Sequence, residues 1–390
     1  MSGVGAGLAA RLADLPTRFL HADPHRWFGL MREAAPVLWH EPSSTWYVTG
    51  YDEVASLLTD RRLGAKRDHL RPLVPQGVWR RLSPLRDFVH RWMVFSDPPR
   101  HTALRRALRP MYDPALVRDA AGAARSSLGV CDEPGSGECL QRARRAVTGG
   151  LGSRLGLSPG ECADLIGWSR RILAAATVEA YDEDVVAEGT AAYEALTGFV
   201  DRARRERSGL LARTVADAMD RGDIGLDDAA GVYAQVYSGT LEPIMTVIAY
   251  GFERLAEDPS LAELVREDPA AFAWELSRLG SPFHIAPRYS LEALPLGAAT
   301  IPAGRHVGLV VLAANRDPRR FPEPERFRLD RDPTLQLSFG RGRHACLGAN
   351  LARTVVAEAL RAVCDGDHRC APKPGSWRIS ADVRRWSPWV

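Results

Sequence analysis

The stretch SFGRGRHACLGANLAR, residues 338–353, places one cysteine, Cys346, behind Gly340 and Gly342, beside Arg341, Arg343 and His344, and just ahead of a helical pattern. Most buried cysteines are small apolar fillers and need no such surroundings. The two glycines carry no side chain, so the backbone can run close against a flat partner. The next residues, LGANLARTVVAEALRAV, read as a helix. Amides and dipole at a helix start stabilise an anion, so Cys346 is expected to favour the thiolate.

No Cys–His pairing at a recognised catalytic spacing accompanies Cys346, which argues against a nucleophile. A thiolate held by close backbone and flanked by cations suits a metal ligand facing a large anionic cofactor. Haem meets that description: its iron takes the sulfur and its propionates take the cations.

FGRGRHACLG resembles the cysteine-ligand loop of the cytochrome P-450 family, Phe-x-x-Gly-x-x-x-Cys-x-Gly, through Phe339, Gly342, Cys346 and Gly348. Other segments resemble the family in the right order. ELSR is similar to its Glu-x-x-Arg pair, giving Glu275 and Arg278, and PERF (324–327) to the segment that adds a third member, Arg326. DPPRHTALRR is similar to the propionate-binding helix, and ANRDPRRFPEPERF to the meander. The likeness runs from about residue 22 to the end. It implies haem b with Cys346 as axial ligand, Phe339, Gly340 and Gly348 in the cofactor loop, and His101, Arg105, Arg288 and His344 at the propionates.

The implied fold is mainly α with small β-sheets, one large domain over 22–390 after an extension at 1–21, with haem between a long central helix and the cysteine loop. That helix is legible in LDDAAGVYAQVYSGTLEPIMTVIAYGFERLAED, whose helical period runs from about Asp227 to Asp258. At 1.5 Å per residue it is roughly 45 Å long. Where it crosses the haem the family reads Ala/Gly-Gly-x-Asp/Glu-Thr, an acid and an alcohol that help to protonate oxygen. Here the stretch is Ser238-Gly239-Thr240-Leu241-Glu242, so neither slot keeps its usual side chain. Glu242 becomes the candidate proton donor, with Thr246 one turn further on the same face. Pro243 has no N–H, which deprives the Gly239 carbonyl of its helical partner and predicts a kink.

Three functional readings follow. The first is a haem-thiolate monooxygenase acting on a small-molecule or peptide natural product. It would use O2 and electrons from a separate ferredoxin and reductase, since no Gly-x-Gly-x-x-Gly lies between a strand and a helix. The second is an atypical oxidation (decarboxylation, coupling or desaturation, assisted by the substrate or driven by peroxide). The third is a catalytically silent haem protein that recruits others. Arg341, Arg343, Arg105, Arg106 and Arg109 offer a basic patch for an acidic ferredoxin. Candidate substrate-contact regions are 66–95, read as a long, partly helical loop, about 165–195, and 281–288 with Phe283, His284 and Ile285.

The rest of the chain bounds these readings. A length of 390 residues, 45% of them hydrophobic, can bury a large core, and a net charge of +3 points to no nucleic-acid partner. Six cysteines in so long a chain make no disulfide scaffold. Cys364, His368 and Cys370 lack a second cluster at zinc-site spacing. No segment approaches the roughly 18 apolar residues needed to span a bilayer. A cytoplasmic, soluble protein without a membrane partner is expected. DPHRWFGLMREAAPVLW reads as helix then strand, TWYVTGYDEVASLLTD as strand, turn and helix, residues 98–278 as mostly helical, and 282–337 as irregular.

Overall fold

The computed structural model describes residues 3–65, 76–128, 142–177, 182–365, 378–380 and 385–387. The chain is mostly helical with small sheets, and it divides into two compact units. One holds the described residues of Met1–His69, Ala271–Cys346 and Gly375–Val390; the other holds those of Leu70–Ala270 and Leu347–Pro374.

The first unit is built on a five-stranded sheet. Strands β1 (Val37–His40), β2 (Thr45–Val48), β3 (Leu63–Gly64) and β4 (Ala286–Ser290) join β7 (His306–Leu309) in the order β1-β2-β7-β4-β3. Between β4 and β7, β5 (Leu294–Leu296) and β6 (Ala299–Ile301) form a separate antiparallel hairpin. The β2–β7 pair is parallel and registers Tyr47 on Gly308, where a Cβ would meet the Tyr47 ring at 2.7 Å. One face packs Val48, Tyr51, Leu309, Phe321 and Leu337. The other packs Phe28, Met31, Tyr47, Ile285 and Leu312 with Leu12 and Leu20, which fall within the 1–21 stretch read as an extension. Both segments read as helix and strand form as expected, with helices at Pro24–Ala34 and Tyr51–Leu57. The span 282–337 is more ordered than its prolines implied, because β4 to β7 and the short helix Val311–Ala314 lie within it.

In the second unit helices pack on helices. The span expected to be a partly helical loop holds a 15-residue helix, Gln76–His90, with Pro84 inside it; residues 66–75 lie outside the described residues. Pro84 cannot donate to the Arg80 carbonyl, and the Ser83 hydroxyl takes that acceptor instead at 3.3 Å. The long helix runs from Leu226 to Glu257 but in three pieces: α-helix Leu226–Val236, a π turn Tyr237–Leu241, and α-helix Glu242–Glu257. The Glu242 backbone N–H donates to the Tyr237 carbonyl, five residues back. The kink expected from Pro243 therefore takes the form of a widened turn just before it, a geometry that recurs at functional sites. A second π turn, Ala146–Gly152, packs against the first. Helix Ala349–Asp365 lies against both Pro114–Ser127 and Glu242–Glu257.

Candidate haem-thiolate site

Phe339, Gly340, His344 and Cys346 lie on one loop of the first unit, and hydrogen bonds fix its entrance. The Ser338 hydroxyl donates to the Ser277 carbonyl at 2.8 Å, accepts from Asn315 Nδ2 at 2.8 Å and meets the Ser281 hydroxyl at 3.3 Å. Asn315 Oδ1 accepts the Leu337 N–H at 2.7 Å. Further along, the Cys346 N–H donates to the Phe339 carbonyl at 2.8 Å, and the Phe339 ring stands edge-on to Trp274 with centroids 4.8 Å apart. Gly340 and Gly342 have φ of +64° and +66°, the left-handed region that favours glycine. A Cβ on Gly342 would also approach the Thr59 Cα to 3.2 Å. Their role here is thus a tight backbone path, beyond the open face that sequence assigned to them.

Cys346 is exposed, whereas Cys162 and Cys364 are buried. Burial, with the Glu161 carboxylate adding to it, pushes the Cys162 thiol up to about 11. Burial likewise raises the Cys364 thiol, with Arg266 opposing it. Neither can serve as a thiolate near neutral pH. An exposed cysteine on a loop braced by backbone bonds fits a residue that would ligate a haem iron. Cys364 also lies in helix Ala349–Asp365, its carbonyl accepting from Arg266 at 2.7 Å, while His368 and Cys370 lie outside the described residues. Among the described residues no group of three His, Cys, Asp or Glu could hold a metal ion.

Behind the loop entrance sits the Glu-x-x-Arg pair. Arg278 Nε and Nη2 each donate to a Glu275 carboxylate oxygen at 2.8 Å, and both side chains are buried. Arg278 also donates to the carbonyls of Asn315 and Pro324, both at 2.7 Å. The expected third member, Arg326, is not there: its side chain is 69% exposed and pairs with Glu323 at 3.4 Å. Arg331 takes that place, 10% exposed, with Nε 3.0 Å from Glu275 Oε1 and Nη2 on the Pro322 and Glu323 carbonyls at 2.9 Å. The PERF segment thus serves through backbone oxygens, and no periodicity or motif singled out Arg331.

Arg288 is buried on β4 and donates to the Pro287 carbonyl at 2.8 Å. Arg341 donates to the Tyr51 hydroxyl and the Thr334 carbonyl at 2.9 Å, and Arg343 to the Leu63 carbonyl at 2.8 Å. Those two guanidinium groups brace the loop within their own unit, a use that the basic-patch reading did not foresee. His284 and Ile285 are buried, and Ile285 belongs to a core cluster.

In the second unit, His101 and Arg105 lie one turn apart on helix Arg100–Leu108, His101 buried and Arg105 half-buried, while Arg106 and Arg109 are exposed. Gly348 precedes helix Ala349–Asp365, its carbonyl accepting the Ala352 N–H at 2.8 Å. Gly239 lies exposed within the π turn, and Glu242, 1% exposed, opens the helix after it. The Thr246 hydroxyl donates to the Glu242 carbonyl at 2.9 Å. Leu241, in the slot of the usual acid, is fully buried.

Comparison with known proteins bears on the family. The family description Cytochrome P450 matches residues 270–363, which hold the Glu275 network and the cysteine loop. The chain is 29% identical over 381 residues to 6-deoxyerythronolide B hydroxylase of Saccharopolyspora erythraea, covering 90% of each chain. The chain belongs to the cytochrome P450 family. It is also 26% identical over 376 residues to cytochrome P450 monooxygenase PikC of Streptomyces venezuelae, covering 88% of this chain and 84% of that one. The tirandamycin C-bound P450 monooxygenase TamI superposes with a TM-score of 0.78 at 25% identity, over 96% of this chain and 98% of that one. As a P450 it is an oxidoreductase of the monooxygenase class, in a family whose haem carries a cysteine thiolate ligand. No described helix is long and apolar enough to cross a membrane.

Proposed function

We propose that this P450 oxidises a small-molecule or peptide natural product in the cytoplasm, using O2 and electrons from a separate ferredoxin and reductase. The observation that carries the reading is the exposed Cys346 on its braced glycine loop. Cys346 would supply the thiolate ligand of haem b, and His101, Arg105, Arg288 and His344 would hold its propionates. When bound, the haem supplies the iron centre for oxygen chemistry. The names hydroxylase and monooxygenase carried by the relatives support a hydroxylating reaction.

The chain's own part in that chemistry falls to the π turn and the first turn of the helix that follows it. Glu242 is the acid that delivers the proton, in place of the family's alcohol. Thr246, donating to the Glu242 carbonyl, positions the start of that helix, and the Gly239 backbone gives a carbonyl to which Pro243 offers no N–H.

A carbon monoxide difference spectrum of the reduced protein tests thiolate ligation, with Cys346→Ser as the control. Loss of the thiolate signature and of turnover in the variant is expected. A serine variant that keeps both overturns the assignment. NADPH consumption with a surrogate ferredoxin and reductase then tests turnover in the wild type.

The buried Leu241 favours a second reading, in which oxygen is handled without the usual pair. Product formed with peroxide but not with the ferredoxin system supports it, and product from neither supports a silent haem protein.

A further inference from the structure

The helix spanning Leu226–Glu257 is covered on both sides of its π turn, with residues 236–238 and 241–249 buried. One gap interrupts that cover: Gly239 is exposed and Thr240 half-buried. Gln235 lies one turn before Gly239, and its Oε1 accepts the backbone N–H of Val94 at 3.4 Å. Val94 is itself 41% exposed, one of the few large apolar side chains so open among the described residues.

The Val94 bond decides which end of the Gln235 amide is oxygen, so the NH2 is the end left to face other groups. Gln235 Cγ lies 3.3 Å, and Nε2 3.7 Å, from where a Cβ on Gly239 would stand. The amide therefore lies along the open backbone of Gly239. Pro243 withholds from the Gly239 carbonyl the N–H that an α-helix would give it, and within the π turn, whose bonds run five residues back, that carbonyl keeps a second lone pair for a donor from outside the helix. One small gap thus offers amide donors and a backbone acceptor, edged by Val94 and Thr240, with no charge among these four residues.

We propose that Gln235 is a specificity-determining residue of this monooxygenase: its Nε2 donates to the carbonyl of a substrate carboxamide whose N–H is accepted by the Gly239 carbonyl. The inference rests on the function proposed above and deepens it by naming a substrate class, molecules with a primary or secondary amide. A carboxylate has no N–H for the Gly239 carbonyl, and a hydrocarbon leaves both groups unmatched, which costs free energy when buried.

The test uses the haem-loaded protein, with 1-phenylimidazole and its three ring-positional carboxamides as probes. Dissociation constants come from the absorbance shift on nitrogen ligation. In the wild type at least one carboxamide binds about fivefold tighter than the parent compound, the factor given by one neutral hydrogen bond of about 1 kcal/mol. In Gln235→Leu and Gln235→Glu that gain shrinks to about twofold or less; the glutamate keeps an acceptor for Val94 but loses the donors. Each variant's carbon monoxide spectrum checks that it folded with its thiolate in place. No gain in the wild type, or a gain that survives either substitution, overturns the proposal and leaves the haem reading intact. A wild type that gives no nitrogen-ligation shift with 1-phenylimidazole overturns both.

Discussion

Asp317 caps the helix that begins at Tyr51, its Oδ2 accepting the Tyr51 backbone N–H at 3.0 Å across 266 positions of sequence. Burial alone pushes the Asp317 carboxyl up, but hydrogen bonds from the Arg319 guanidinium and from the Tyr51 and Arg319 amides more than offset it, holding the group at about 2. An unfolded aspartate titrates near 3.9. The native state therefore binds fewer protons than the unfolded one between those values. Its stabilisation is complete above about pH 5 and is lost as pH falls toward 2. Asp317→Asn is expected to lower stability at pH 7 by on the order of 1–2 kcal/mol, discounted for the exposed Arg319. Urea midpoints at pH 7 and pH 3 check this, since the gap between wild type and variant narrows at the lower pH.

The Glu275 network predicts that two nearby arginines differ. Arg331→Ala removes a partner from a buried carboxylate and three carbonyl bonds of its own. A loss of about 2 kcal/mol is expected. Arg326→Ala touches only an exposed pair and should cost under about 0.5 kcal/mol. Denaturant midpoints of the two purified variants separate them, and equal effects contradict the placement of Arg331.

Gly342→Ala forces a side chain into the left-handed region and against the Thr59 backbone. A destabilisation of about 1–2 kcal/mol is expected. The loop is displaced at the same place, so haem content per polypeptide should fall as well. Gly297, with φ +60° and open space around it, is the control: Gly297→Ala costs only the backbone strain and leaves haem content unchanged.

Replacing Glu242 separates an acid from a spectator. Glu242→Gln removes the proton and is expected to slow turnover by about a hundredfold. Glu242→Thr restores the family's alcohol and keeps much of the activity. Ferredoxin-driven product formation, measured alongside the carbon monoxide spectrum, reports both; unchanged rates in the two variants exclude Glu242 as the donor.

The cysteine loop and the long helix were legible because each depends on local chemistry. Glycines at 340 and 342, a basic run and a helix start lie within ten residues of Cys346, and the period from Asp227 to Asp258 survives its proline. Arg331 was not legible. Among so many arginines, only the fold of 322–331 decides which one turns inward, and in Arg326 the backbone carbonyl rather than the side chain faces the network. The Tyr51 cap was equally hidden, because Asp317 reads as one more acid in a charged turn. In the span read as a partly helical loop, the full extent of the helix at Gln76–His90 was hidden, because Pro84 counts as a breaker unless a neighbour such as Ser83 takes the orphaned carbonyl.

The Ser338 hydroxyl is held from Ser277, Ser281 and Asn315, and none of those bonds involves the cysteine. The direction in which the chain enters the cysteine loop is thus set by neutral hydroxyl and amide contacts. Exchanging the sulfur at 346 leaves that entrance its bonds, whereas replacing Ser338 or Asn315 strips buried groups of their partners and lets the segment carrying Cys346 shift.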